Sequence, residues 1–561
     1  MKVDTKLVLL AVSSVIVLLI GTLGFYQISP ERGVLTAFYL AIQLFSMNSG
    51  IVEEVPTPPL IEVSRWLALG TLLIVVYAVV KALLEYFGSA FRIAAMKDHA
   101  IVCGAGQRGE ALAKRLSESY KVIVIEADEA CPSLGELRNQ SIEVVIGNAI
   151  DDSVLKKAAV SRARILIAVT GADETNLAIC TEVSMKLSPN CDTSAGLESW
   201  AWRNYFLDRI RPESKIRLAS FLSRATHSLM LRLALIAARQ PNFRKDGVRI
   251  LIEASGDMQH ELVRSAILML QISVDKKPRL ELTSSSVEQR AVFLERFPEV
   301  NLVAEVSWHT QSATEVFPEG CDECLDFAVF ALETEIETLE ATERFWMRHD
   351  VGGDRVIACL RGNNDATYIE SVQKKPGDFT VENLLPLGLG KEYPLDPDVE
   401  EKANLCHTIY FKNEKVKNPE FKGIKENWRE LPERLRESNR LAARHNEIKK
   451  AIWQTRGEVS PSEMLRFLSQ CEHMRWMAEK VMDGWRWTGT SDKASRDNLK
   501  LKHHLLIPFD ALTNQEVEKD YAMFLWALDL SDSELQTLTM NEDAQRMLHI
   551  SQDCLLNTTI R

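Results

Sequence analysis

The chain lacks a basic stripe. Its 66 Lys and Arg against 78 Asp and Glu leave a net charge of −12 over 561 residues, which excludes a general nucleic-acid binder. It also lacks a disulfide framework: ten cysteines are scattered along it, the usage of a reducing compartment rather than of a stapled secreted scaffold. One close pair, Cys321 and Cys324, has no second Cys-x-x-Cys and no paired histidines to complete a zinc site, so no metal is expected. No constellation of nucleophile, general base and orienting group stands out either, so an enzyme is not expected. The length exceeds what one hydrophobic core serves, and three or four domains are expected.

Long apolar runs are present, all near the amino terminus. Leu7 to Tyr26 carries no charge over 20 residues, about 30 Å as a helix and enough to cross a bilayer. No Ala-x-Ala cleavage site follows it, which disfavours a signal peptide. Trp66 to Phe87 reads as a second span, with Lys81 and Glu85 near the membrane surface and Trp66, Tyr77, Tyr86 and Phe87 as interfacial anchors. Between them Val34 to Met47 is too short to cross and reads as a re-entrant helix leading into Ser46, Met47, Asn48, Ser49 and Gly50. Lys2 and Lys6 precede the first span, and Arg92 and Lys97 follow the second. Both ends then prefer the cytoplasm, which requires an even number of crossings.

The next segment reads as a nucleotide-binding α/β unit. An apolar strand from His99 to Cys103 runs into Gly104-Ala-Gly106-Gln107-Arg108-Gly109 and a helix, and a second strand ends in Glu126, 22 residues beyond Gly104. Gly104 permits the tight turn, Gly106 lets backbone N–H groups approach a pyrophosphate, and Gly109 packs helix on strand. The helix N-terminus favours phosphate, and Glu126 can accept ribose hydroxyls. A third strand closes on Gly147-Asn148-Ala149, and a fourth ends in Thr170 before Asp173-Glu-Thr-Asn176. From 247 a second α/β pattern begins, with strands at 248–253, 279–283, 326–332 and 355–360 and only Gly256 left of the glycine fingerprint. Residues 181–246 read as crossover helices. Beyond about 400 the chain turns helical and tryptophan-rich, with Glu472-His473-x-Arg475-Trp476, Gly484-Trp485-x-Trp487 and Lys502-His-His504.

Three resemblances follow from these motifs. The hairpin resembles two-helix potassium channels with a pore helix between the spans, but Phe45 to Gly50 stands where that family carries Thr-Val-Gly-Tyr-Gly, so potassium selectivity does not carry over. Residues 98 to about 180 resemble the Trk/RCK nucleotide-binding domains that gate potassium channels and transporters. That resemblance implies a site of Gly104, Gly106, Gln107, Arg108, Gly109, Glu126, Asn148, Ala149 and Thr170, with Asn148 standing where the family usually has Asp. The C-terminal series is similar to the RyR domain named for ryanodine receptors. It implies a ligand pocket of Arg436, Asn439, His473, Arg475, Trp476, Trp485 and Lys502, with tryptophan faces for a base and arginines for phosphate.

The expected fold is therefore multidomain. A two-span membrane hairpin with a re-entrant helix (1–97) precedes two Rossmann-like α/β domains (98–246 and 247–399) and a helical RyR-like module (400–561). The expected function is a ligand-gated ion channel or membrane-permeabilising effector controlled by a nucleotide-type ligand, with stress or antiviral signalling as the expected setting; a non-conducting, membrane-tethered nucleotide sensor or a regulatory subunit of an ion transporter is the alternative. NAD(H) or another adenine nucleotide is the implied regulatory ligand, and the implied partners are the bacterial inner membrane, inorganic ions and further copies of the chain, a tetramer by family resemblance. No nucleic acid is implied.

Overall fold

The computed structural model describes residues 5–47, 58–187, 191–210, 215–317, 325–349, 351–362, 378–389 and 396–528, together with 530, 549, 550 and 554. The chain forms two compact units, Met1–Ala95 and Met96–Arg561.

In the first unit, helix Thr5–Ile28 is followed by a 3-10 turn at Pro30–Arg32 and helix Gly33–Gln43, and the direction changes by 112° at the break. A single long helix, Pro59–Ala95, completes the unit. Small residues allow close approach: a Cβ on Gly21 would lie 3.1 Å from Ala41 Cβ, and one on Gly24 only 2.7 Å from Ile61 Cγ1. The inward face is a short core of Val17, Phe25, Ala37, Ala41, Leu44, Ile61 and Ala68. Large apolar side chains also face outward, among them Leu19, Leu23, Leu35, Trp66, Leu73 and Tyr77. A helix apolar on all sides is suited to lipid.

Among the described residues, the stretch long and apolar enough to cross a membrane within one helix is Pro59–Lys81; it overlaps the expected second span of 66–87, which lies wholly within helix Pro59–Ala95. Glu62 and Arg65 lie in the first turns of this helix. In the structure they pair at 2.8 Å one turn apart, which lowers the cost of placing both in the first turns, and Pro59 occupies the helix start where its missing N–H costs nothing.

The second unit holds two six-stranded parallel sheets of the same design. β1 (His99–Cys103), β2 (Val122–Glu126), β3 (Glu143–Ile146), β4 (Ala163–Ala168), β5 (Asp192–Gly196) and β6 (Ile216–Ala219) lie in the order 3-2-1-4-5-6. β7 (Arg249–Ala254), β8 (Arg279–Thr283), β9 (Glu305–Trp308), β10 (Phe327–Ala331), β11 (Val356–Leu360) and β12 (Thr380–Asn383) repeat it as 9-8-7-10-11-12. Both are doubly wound, Rossmann-like sheets. The central strands β1, β10 and β11 are buried along their whole length, as continuous apolar runs in parallel sheets should be.

Four of the twelve strands contradict the sequence reading, which left β5, β6, β9 and β12 unassigned. β5 is Asp-Thr-Ser-Ala-Gly and β12 is Thr-Val-Glu-Asn, without the apolar run that marks a buried strand. β6 falls within 181–246, expected to be crossover helices; the helix begins only at Phe221, capped by Ser220 Oγ, which accepts from Ser223 N at 3.0 Å.

Helix Phe221–Ala238 occupies the middle of this unit, packed on helices Leu384–Leu389, Gly256–Met269 and Glu433–Gln454. The C-terminal helices Pro397–Lys417, Glu433–Gln454, Pro461–Met482 and Asn514–Phe524 pack on one another, with Glu433–Gln454 against the central helix. One hydrophobic core runs from Trp200 and Leu233 through the second sheet to Ile452, Met477 and Phe524. The second sheet and the C-terminal helices thus share a core rather than meeting at a wet interface.

Candidate nucleotide site

The first cleft is built by three glycines with three separate tasks. Gly104 turns at φ +102, with Val169 O and Thr170 Cα each 3.0 Å from where a Cβ would sit. A Cβ on Gly109 would lie 1.9 Å from Gly104 O, so only glycine lets the helix Gln107–Leu116 dock on its own loop. Gly106 meets nothing within 4 Å and leaves the helix N-terminus open to a ligand. That helix has no side-chain cap, so its first N–H groups remain available to an anion.

Side chains from the other strand ends hold the loop in place. Glu126, at the end of β2, accepts from Ala105 N at 2.5 Å and Asp128 N at 3.0 Å. Ser133 Oγ donates to Ala105 O at 2.5 Å. Beyond β3, Asn148 Oδ1 accepts from Ile150 N at 3.1 Å, folding that loop beneath the cleft. Beyond β4, Asn176 Oδ1 accepts from both N and Oγ1 of Thr170 at 2.7 Å, while its Nδ2 donates to Gly196 O. The resulting cavity of about 680 Å³ falls within the range of small-molecule and cofactor sites.

Eight of the nine residues expected from the sequence line this cavity: Gly104, Gly106, Gln107, Arg108, Glu126, Asn148, Ala149 and Thr170. Gly109 lies behind it as a packing residue. Sequence reasoning missed Gly171, Ala172, Thr175 and Ile179, which complete the wall after β4. Their signal was the Asp173-to-Asn176 motif itself, whose helix begins against the cleft.

Arg108 carries the cleft's connection to the rest of the unit. Its guanidinium lies 3.3 Å from Glu198 and over the Phe221 ring at 5.8 Å. Glu198 in turn accepts from Phe221 N, Leu222 N and Ser220 Oγ at 2.9–3.1 Å, so it caps the central helix. A phosphate drawing Arg108 inward would therefore compete with the cap of Phe221–Ala238.

The seven residues expected to form a C-terminal pocket do not all meet. Asn439, His473, Arg475 and Trp476 line a cavity of about 300 Å³. Arg436, Trp485 and Lys502 lie outside it. Arg436 is buried and paired with Glu433 at 2.6 Å, Trp485 packs edge-on against His503, and Lys502 points outward from a two-residue strand. Arg475 is not free for phosphate: it holds Glu472 and Glu479 at 2.9 Å, and Lys449 reaches Glu472 at 2.7 Å. Burial favours the neutral form of Glu479, yet Lys480 and Arg475 hold its carboxyl at about 2. The reading overlooked Tyr410, Lys493, Arg496, His503 and Asp520 in this wall, because they lie on separate loops and helices with no common spacing.

In the first unit, Ser46 Oγ donates to Gln43 O at 2.8 Å and Met47 turns left-handed at φ +59. Asn48, Ser49 and Gly50 lie outside the described residues, as do Cys321 and Cys324.

Residues 100–199 match the TrkA-N domain family. Potassium channel protein 1 of Methanocaldococcus jannaschii is 31% identical over 100 residues, which is 18% of this chain and 30% of that protein. Trk system potassium uptake protein TrkA homolog 2 of Methanosarcina mazei is 39% identical over 88 residues, 16% of this chain and 19% of its own. The match thus spans less than a third of either relative. Among solved structures, the GsuK channel bound to NAD covers 68% of this chain and 82% of its own at 13% identity and a TM-score of 0.38. The GsuK structure bound to ADP covers 68% and 96% at 14% identity and a TM-score of 0.37. The glycine loop, Glu126 and most of the first sheet lie within this one segment, residues 100–199, that matches the TrkA-N domain family.

Proposed function

We propose that this chain is a membrane-embedded channel or permeabilising effector controlled by an adenine nucleotide, NAD(H) or a close relative, bound in the cleft of residues 104–179. The observation that carries this reading is the open glycine cleft, with Gly106 unobstructed and Glu126 at its ribose end. The TrkA-N match and the names of the relatives, a potassium channel and potassium uptake proteins, support it. So do the apolar outward faces of Thr5–Ile28 and Pro59–Lys81, which suit two spans with helix Gly33–Gln43 dipping between them.

A single hairpin cannot enclose a pore, so the working form is a homo-oligomer, a tetramer in this reading, in the bacterial inner membrane with both termini cytoplasmic. The role is regulatory, not catalytic. Nucleotide binding at the glycine loop acts through Arg108 and Glu198 on the central helix. It opens the pore only insofar as the ligand binds the open arrangement more tightly, at about 1.4 kcal/mol per tenfold shift. A helical RyR-like module and a stress-signalling role belong to the same reading.

The test is ion efflux from liposomes holding the full chain, with NAD, NADH, ADP or ATP added outside. A nucleotide-dependent efflux absent from Gly106→Asp is the expected result. The sequence Phe45 to Gly50, with one glycine and no Gly-Tyr-Gly, favours a second reading, a membrane-tethered sensor that conducts nothing. Nucleotide binding without efflux under any condition would select it.

A further inference from the structure

The C-terminal cavity lies among the helices Pro397–Lys417, Glu433–Gln454, Pro461–Met482 and Asn514–Phe524, away from the glycine loop. Its wall is aromatic and apolar on one side, with Tyr410, Trp476, Leu435, Leu512 and Met523. Deeper in, two side chains each keep one buried polar atom without a hydrogen-bond partner. His504 is 5% exposed and its Nδ1 is unpaired; Asp520 is 9% exposed and its Oδ2 is unpaired, 3.9 Å from His473 Nδ1. Orphaned buried polar atoms are costly, and a ligand is the economical explanation for two of them in one cavity.

Asp520 and the neighbouring His503 are hydrogen-bond donors, and His504, whose ring burial keeps neutral, can donate through its unpaired Nδ1. Burial and the nearby Glu472 raise the Asp520 carboxyl well above its usual range, so it presents an O–H. His503 Nδ1 accepts from Leu505 N at 3.1 Å, which leaves Nε2–H as the donor of a neutral ring, and burial with Arg496 nearby pushes that ring down to about 3. Charge collects at the mouth. Lys480 and Lys519 are paired with Glu479 and Glu516, whereas Lys493 and Arg496 have no carboxylate partner among the described residues.

We infer that this cavity is a second ligand site, separate from the TrkA-N cleft, that takes an anionic heteroaromatic molecule of mononucleotide size. The ring sits against Trp476 and Tyr410, its acceptor atoms meet Asp520 and His504, and its anionic group meets Lys493 and Arg496. At about 300 Å³ against about 680 Å³, it has less than half the room of the first cleft, so a dinucleotide held there does not fit here. The chain then reads two ligands of different size. This goes beyond the proposed function and does not depend on whether the chain conducts.

The experiment is calorimetric titration of the full chain in detergent, in the Gly106→Asp background that blocks the first cleft. AMP is the probe, with adenosine and inorganic phosphate as its two halves. AMP should bind, each half should bind at least tenfold more weakly, and NADH should not displace AMP. The exposed-rim double variant Lys493→Glu, Arg496→Glu should weaken AMP at least tenfold with an unchanged melting temperature. His504→Phe, which keeps the ring shape and removes the nitrogens, should weaken AMP and adenosine alike. The inference is overturned if none of the three probes binds, if Gly106→Asp alone abolishes AMP binding, or if the rim variant binds AMP as before. Phosphate binding as tightly as AMP would also overturn it, since the aromatic wall would then contribute nothing.

Discussion

The two Rossmann-like sheets share a strand order and differ at the one place that matters for a ligand. In the first, three residues, Gly104, Ala105 and Gly106, separate β1 from its helix. In the second, Ser255 alone separates β7 from helix Gly256–Met269. The first cleft keeps its carboxylate at the rim, on Glu126. The second has Thr283 at the matching strand end, β8, and its nearest carboxylate is buried in β7: Glu253 is 4% exposed and accepts from Ser284 Oγ at 2.5 Å and Ala313 N at 2.9 Å. Arg361 then lies across the short loop, its Nη2 donating to Ser255 O at 3.3 Å. A fold that can bind a nucleotide becomes a structural block when its own side chains take the positions a ligand would fill.

The largest test of this contrast is a pair of glycine substitutions. Gly109→Ala places a methyl 1.9 Å from Gly104 O and should cost more than about 3 kcal/mol or abolish folding of the first sheet. Gly256→Ala, in open space at φ +58, should cost about 1 kcal/mol of backbone strain. Thermal unfolding of the full chain measures both, and equal losses would erase the distinction.

Acid should separate the two regions next. Burial lowers His227 and His260, in the helical layer against the second sheet, to about 4 each. Their folded-state values lie below the unfolded 6.5, so the unfolded chain binds the extra protons between those limits. The stability they contribute is present above pH 6.5 and is lost as pH falls toward 4, by up to about 1.4 kcal/mol per pH unit for each histidine. Unfolding midpoints at pH 7 and pH 5 should differ accordingly, and the double variant His227→Asn, His260→Phe should narrow the gap. An unchanged gap would remove these histidines from the account.

Glutamate replacements should give different signatures. Glu253→Gln keeps one oxygen for Ala313 N–H and sets its NH2 against Ser284 Oγ, which must then accept; it should cost about 1 kcal/mol of stability without affecting nucleotide binding. Glu126→Gln loses one of its two backbone N–H donors in a more exposed site, so it should cost about 1 kcal/mol of stability and in addition weaken NADH about tenfold, about 1.4 kcal/mol, by titration calorimetry. The smallest effect is expected from Arg361→Ala: under about 1 kcal/mol in stability, and no nucleotide binding regained in a Gly106→Asp background. Binding restored there would mean the arginine, not the short loop, closes the second cleft.

Much of this was legible in the sequence where local chemistry decides. Gly104, Gly106, Gly109 and Glu126 announce their roles because a turn, a close approach and a strand end each demand a residue type at a fixed spacing. β5 and β12 were not legible, since these polar strands are held by their neighbours, β4 and β6 on either side of β5 and β11 beside the edge strand β12, rather than by their own pattern. The second cavity was half legible. His473 and Trp476 stand out in one motif, but Lys493, His504 and Asp520 reach the same space from separate elements, and no spacing rule connects them. The same limit misplaced Arg436 and Arg475, whose partners Glu433 and Glu472 sit three residues away on their own helices; burial, invisible in one dimension, turned candidate ligand contacts into internal pairs.

The ion cluster beneath that cavity has a consequence for ancestry. Lys449, Glu472, Arg475 and Glu479 are each no more than 1% exposed, and their charges cancel among themselves. Losing any one strands a buried charge at a cost of about 3–5 kcal/mol, while replacing the set with apolar residues need cost little. A lineage therefore cannot leave this arrangement by single steps. The four positions should be inherited as one word, kept whole or rewritten whole.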